Sequence, residues 1–355
     1  LKVSNLGISP DQNGEEEIDE NQNVINENSR FVKLLRVDQE YHSEKAFTVM
    51  KEEHMINLQT MVTQFIDFAA SKLKLYYDRK IISAFFSGLA TSKTMILEGI
   101  SGTGKTSLPY AMGKFFGNNA SIIPVQPSWR DRAEMIGYLN EFTKKFNESD
   151  FLKAIYETTY REDINIIVLD EMNLARVEYY FAELLSLLEM PDADQWLIDV
   201  VSDTKPGDPT NLINGKILLP QNVWFVGTAN KDDSTFLITD KVYDRATPIE
   251  INAKAEFVDA PETESITMSY EYLNQLFKIA IHDNAISKHS TDRLEKLDLF
   301  ITENFKVTFG NRIMKQIKMF VPVFVACGGT ELEALDYMVA RKILRKFEAL
   351  NLPFM

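Results

Sequence analysis

Cysteine is almost missing from this chain: Cys327 is the single one in 355 residues. That excludes a disulfide framework and any zinc site built on paired cysteines. We read Cys327 as a small core residue rather than a reactive thiol. Histidine is scarce as well. His42, His54, His282 and His289 are scattered without ligand spacing and read as surface or structural residues. No apolar run is long and clean enough to cross a bilayer. The opening residues are polar and soon acidic, unlike a secretion signal. We therefore expect a cytoplasmic protein with no membrane partner. Positive charge is in deficit, with 38 Lys and Arg against 52 Asp and Glu and a net charge of −14. A nucleic-acid clamp made of the whole chain needs a basic footprint and is excluded, although a local basic stripe in an assembly is still compatible.

What is present is a globular composition, 45% hydrophobic and 25% charged, which is enough apolar material for a large core. Residues 1–30 are rich in Asn, Asp and Glu and read as an acidic linker or tail. Residues 31–75 read as a helical N-terminal segment, with Met55, Leu58, Val62, Phe65 and Phe68 at helical spacing. Residues 76–267 alternate helix and strand. The apolar runs at Met95–Leu97, Ser121–Val125, Ile164–Leu169, Val223–Val226 and Thr247–Ile251 predict five strands. Short apolar strands separated by helices predict an α/β unit whose parallel sheet is covered on both faces. From 268 to 355 only helical periodicity remains, which predicts an all-α domain. The chain starts at Leu1, and we expect a further domain upstream.

The most specific run is Gly99-Ile100-Ser101-Gly102-Thr103-Gly104-Lys105-Thr106, a complete G-x-x-x-x-G-K-[ST] motif. It lies between a predicted strand and a predicted helix that opens at Ser107, which is the context a phosphate-binding loop needs. Glycines let successive N–H groups point inward at phosphate oxygens, and the helix N-terminus faces the same anion. Lys105 would reach the β- and γ-phosphates, and the Thr106 hydroxyl would bind Mg²⁺. The third strand ends in Asp170-Glu171, a Walker B pattern. Asp170 would share the metal with Thr106, and Glu171 would act as general base on the attacking water. Gly227-Thr228-Ala229-Asn230 closes the fourth strand, where Asn230 could hydrogen-bond the γ-phosphate and the lytic water. Arg245 lies just before the fifth strand and could serve a neighbouring subunit's nucleotide as an arginine finger. The competing reading is an ion pair with Asp244 or Asp240, and Lys241 is the second candidate for the finger. Arg312 opens a helix of the C-terminal domain and could reach back to the γ-phosphate; otherwise it is an exposed helix arginine. Tyr138–Phe146 carries Lys144 and Lys145 beside Phe142 and Phe146. It reads either as a surface for gripping a partner or polymer, or as an amphipathic surface helix.

These pieces in this order resemble an AAA+ ATPase over roughly residues 70–350. Ser128-Trp129-Arg130-Asp131, Asp170–Arg176, Gly227–Asn230, Asp240–Ala246 and the closing Ala334–Leu344 resemble the McrB-like branch. The resemblance implies an α/β AAA+ domain with a helical lid. It further implies GTP or ATP as substrate, Mg²⁺ as cofactor, and a homo-oligomer, expected as a hexameric ring. It also implies a McrC-like nuclease partner in the restriction of modified or foreign DNA, with DNA bound through another domain or subunit. The alternative is a MoxR-like protein-remodelling ATPase without a nuclease. A scaffold that binds nucleotide without hydrolysis is a further rival, opposed by intact Asp170, Glu171 and Asn230. Two departures stand out. McrB-like proteins carry Met-Asn-Thr-Ala-Asp where this chain has Ala229-Asn230-Lys231-Asp232-Asp233, and nothing in residues 1–70 resembles a DNA-reading domain. The N-K-x-D spelling follows the fourth strand, near the γ-phosphate, so we do not read it as a guanine motif. In this family base contacts come from the lid and the segment before the first strand. Asp78 is the one carboxylate there, which tilts the expectation toward GTP, although the same residue reads equally as a helix cap.

Overall fold

The computed structural model describes residues 29–42, 56–230, 235–252, 255–257 and 259–347. Most of the expected acidic tail, together with His54, Met55 and the Lys231–Asp233 run, lies outside the described residues.

Five strands form one sheet: β1 (Thr94–Gly99), β2 (Ser121–Pro124), β5 (Asn165–Asp170), β8 (Val223–Asn230) and β9 (Thr247–Glu250). Their order is β2-β5-β8-β1-β9 and every pairing is parallel. The period of two explains how both faces are covered. Ile96, Ile167, Leu169 and Phe225 are buried on one face, and Met95, Leu97, Ile166, Val168, Trp224 and Val226 on the other. The first face carries α6 (Asp150–Thr158), α7 (Val177–Tyr180), α8 (Ala182–Leu187) and α1 (Lys33–His42). The second carries α2 (Leu58–Phe68), α3 (Arg79–Thr91) and α4 (Ser107–Phe115). The N-terminal helices thus share the cores of the sheet. Trp224 is fully buried, and its indole N–H donates to the Leu89 carbonyl at 2.9 Å, so its polar tip is satisfied.

Two hairpins were not foreseen. One pairs β3 (Gly137–Leu139) with β4 (Phe146–Glu148), following α5 (Arg132–Ile136), and the other pairs β6 (Leu197–Asp199) with β7 (Lys216–Leu218). The first overturns the expected surface helix over Tyr138–Phe146, for local reasons. The Asn140 carboxamide accepts from the N–H groups of Phe142 and Thr143 at 3.0 and 3.1 Å, a turn that competes with helix. Lys144 takes a positive φ of 55°. Gly137 sits at φ 109°, where a Cβ would lie 2.1 Å from the Asn147 carbonyl oxygen. Phe142 stands 98% exposed at the tip, whereas Phe146 turns inward and stacks on Phe31 at 5.1 Å. The two rings therefore do not form one gripping surface. This hairpin is tied to α1, because the Glu148 carboxylate accepts from the N–H groups of Val32, Lys33 and Leu34 and so caps that helix.

Beyond β9 come α10 (Tyr270–Asp283), α11 (Lys288–Phe305), α12 (Gly310–Ala326) and α13 (Glu331–Met338). The last is opened by a complete capping box, Thr330 with Glu333. These helices build a lid with its own core around Ile313, Ile317, Phe320 and Phe324, seated on Ala84 of α3. Cys327 is fully buried beneath it, and burial pushes its thiol up to about 12. It is an inert core residue. Among the described residues no helix is long and apolar enough to cross a membrane.

Candidate nucleotide site

The parallel sheet brings the C-terminal ends of β1, β5 and β8 side by side, with β8 in the middle. Open parallel sheets present their sites at this edge. Three of the sequence motifs converge there because three strands end together.

The loop after β1 is shaped by glycine. Gly99, Gly102 and Gly104 have φ values of 146°, 78° and 92°, and a Cβ on Gly99 would come within 2.2 Å of the Ile251 carbonyl oxygen. The Thr103 hydroxyl contacts the carbonyl oxygens of Ile100 and Ile251 at 2.8 and 2.7 Å, pinning the loop to the end of β9. The Ser107 hydroxyl donates to the Gly104 carbonyl at 2.9 Å and receives the Tyr77 hydroxyl at 3.3 Å. Ser101 lies at the exposed turn of the loop. Lys105 is buried, and its ammonium donates to the carbonyl oxygens of Gly99 and Ile100 at 3.1 and 2.7 Å.

Thr106, Asp170, Glu171 and Asn230 form one connected chain. The Thr106 hydroxyl donates to Asp170 Oδ1 at 2.7 Å. The Thr228 hydroxyl donates to the same oxygen at 2.8 Å and accepts the Glu171 N–H at 2.8 Å. Glu171 sits at φ 52°, a left-handed conformation that costs free energy in a residue with a Cβ. The Asn230 carboxamide donates to Glu171 Oε1 at 3.4 Å. Thr228 was not singled out by the sequence, yet its buried hydroxyl joins both acids. Asn173 was quoted only as part of a motif. Its carboxamide donates to the Asn230 carbonyl at 2.9 Å and so holds the end of β8. Gly227 lies beside it, where a Cβ would come within 1.9 Å of the Met172 sulfur and would have to displace that side chain.

Thr106 and Asp170 offer one hydroxyl and one carboxylate, hard oxygen donors. That pair suits Mg²⁺, which keeps most of its waters and takes the rest of its shell from phosphate. Among the described residues there is no cluster of three His, Cys, Asp or Glu side chains that could hold a metal ion.

The other predicted residues fall elsewhere. Asp78 caps α3, its carboxylate accepting the Lys80 N–H at 2.7 Å. Arg245 follows the short helix α9 (Asp240–Tyr243). It pairs with neither Asp240 nor Asp244. Its Nε meets Glu189 Oε2 at 2.7 Å, while Arg312 Nε meets Glu189 Oε1 at 2.7 Å. Two arginines far apart in sequence thus share one carboxylate in the turn after α8, and Arg312 is engaged there. Nothing in the sequence around Glu189 announced this.

No protein-family model matches the sequence, and no curated protein matches it. Among solved structures, a putative ATPase from Cytophaga hutchinsonii is similar, with a TM-score of 0.50 and 12% identity over 91% of this chain and 93% of that one. At that identity the likeness speaks for fold alone: an α/β unit built on a parallel five-stranded sheet, followed by a helical region.

Proposed function

We propose that this chain hydrolyses a nucleoside triphosphate with Mg²⁺, as a ring of identical copies. The carrying observation is the continuous hydrogen-bonded chain Thr106–Asp170–Thr228–Glu171–Asn230 beside the phosphate-binding loop. The loop N–H groups and Lys105 hold the phosphates. Thr106 and Asp170 hold the metal, which supplies charge neutralisation on the phosphates when bound. Glu171, fixed from both sides by Thr228 and Asn230, orients a water and accepts its proton. Asn230 holds the end of that carboxylate toward the γ-phosphate position. Arg245 and Arg312, gathered on Glu189, form one cationic patch. In a ring this patch is offered to the triphosphate of the next copy, where it stabilises transition-state charge.

The McrB-like runs named above support a McrC-like nuclease as partner and restriction of modified DNA as the process. They support GTP as substrate alongside ATP. Purified protein should release phosphate from GTP or ATP only with Mg²⁺, and should enlarge to a ring in size-exclusion chromatography when nucleotide is added. A chain that stays monomeric while hydrolysing at full rate would contradict the ring. A cyclic assembly that remodels proteins without co-purifying a nuclease would favour the MoxR-like alternative.

A further inference from the structure

Four basic residues of the C-terminal helical region, Arg341, Lys342, Arg345 and Lys346, reach the sheet and the segment carrying Arg245. Arg341 pairs with Glu250, and Arg345 with Glu98 at 3.3 Å. Lys346 pairs with Asp244 at 2.7 Å. Lys342 is buried and donates to the carbonyl oxygens of Tyr243, at the end of α9, and of Ala246, just before β9, at 2.5 and 2.6 Å. From α12, Gln316 donates to the Asp244 carbonyl at 3.1 Å. Residues 243, 244 and 246 are therefore all held by the lid.

The sheet makes this grip directional. Glu98 and Glu250 are register partners on β1 and β9, so their carboxylates share a face. Glu98 is only 2% exposed and Glu250 is partly buried, and like charges directly opposite each other on a sheet are destabilising unless matched. Arg341 and Arg345, spaced four apart on the lid, supply the match. Glu98 also accepts the Tyr243 hydroxyl at 2.7 Å, and Arg345 stacks on the Tyr243 ring. Glu98 directly precedes Gly99, the first residue of the phosphate-binding loop. One carboxylate thus touches the root of that loop, the Arg245 turn and the lid.

We infer that Arg345 and Tyr243, meeting on Glu98, are positioning residues that aim Arg245 at the nucleotide of the neighbouring copy. The lid of each chain sets its own finger, for use in trans. This inference rests on the two-copy site proposed above.

The test uses Arg345→Gln and Tyr243→Phe in the full chain, alone and mixed with Glu171→Gln or Arg245→Ala. Both variants should bind nucleotide with KM within about twofold of the parent and lose at least about tenfold in kcat, as misplaced catalytic groups do. Mixing either with Glu171→Gln, which supplies an intact finger, should restore turnover. Mixing either with Arg245→Ala should not, because neither partner then delivers a correctly placed arginine. Parent-level kcat in both variants would overturn the inference. So would restoration by Arg245→Ala, which would place the defect in the variant's own site. If Arg345→Gln fails to fold, Tyr243→Phe, which removes one hydroxyl, decides alone. Failure of Arg245→Ala and Glu171→Gln to complement each other would instead strike the two-copy site and this inference with it.

Discussion

Replacing Thr228 by Val removes one hydroxyl and keeps the side-chain shape. In the structure that hydroxyl donates to Asp170 and accepts from the Glu171 N–H, both at 2.8 Å, and Thr228 is 2% exposed. The bond to a carboxylate contributes about 1.5–3 kcal/mol, and leaving the Glu171 N–H unpaired costs about 1–3 kcal/mol. The two share one oxygen, so we expect about 2–4 kcal/mol of stability to be lost rather than their full sum. The effect on turnover follows from conformation. Glu171 is held at φ 52°, and the Thr228 hydroxyl is the acceptor that pins its backbone there. With each 1.36 kcal/mol of transition-state stabilisation equal to tenfold, losing half of that 2–4 kcal/mol, about 1–2 kcal/mol, from the transition state lowers kcat by about 5- to 30-fold. Thr228→Ser keeps the hydroxyl and should retain most activity. Steady-state phosphate release, with nucleotide binding followed separately by fluorescence, reads both effects. Parent-level kcat in a folded Thr228→Val protein would refute the linkage between the hydroxyl and the two acids.

Other outcomes follow from the same geometry. Lys105→Ala should abolish nucleotide binding in a direct binding assay, since the buried ammonium is the charge set beside the loop. Cys327 should stay unreactive toward a thiol reagent in the native protein and react on unfolding, because burial raises its thiol to about 12. Burial lowers the Lys342 ammonium to about 7, far below the value of a free lysine. The folded state then binds fewer protons than the unfolded chain between about pH 7 and 10, so this group's contribution to stability rises with pH across that window. Denaturant melts of the parent and Lys342→Met should accordingly diverge in the parent's favour as pH rises. A pH-independent difference would contradict the sign. Asp78→Asn should keep the cap and lower any preference for GTP over ATP in competition binding, and an unchanged preference would leave Asp78 as a cap alone.

Much of the fold was legible because its strands are short apolar runs and its site motifs are contiguous. The five strands and the loop at Gly99–Thr106 needed only local pattern. The hairpins did not announce themselves, since three-residue strands such as Gly137–Leu139 carry too little periodicity to outweigh a helical reading. Asp170, Glu171 and Asn230 were recognisable as strand-end residues, but the role of Thr228 depends on which neighbour its hydroxyl faces. Glu98 was the overlooked signal: a carboxylate in a buried strand demands a partner. Its partners, Tyr243 and Arg345, lie far along the chain, and only strand register places Glu250 beside it. Glu189 lay in a turn with no pattern, so the meeting of Arg245 and Arg312 required the folded chain.

The most direct test is Glu171→Gln, with nucleotide binding and Mg²⁺-dependent turnover measured on one preparation. The substitution keeps the size of the side chain and its contact with Asn230 but removes the base. Binding of GTP or ATP should match the parent, while phosphate release should fall by about 10²–10⁴. Turnover at the parent rate would show that Glu171 does not activate the water and that the proposed site is not where hydrolysis occurs.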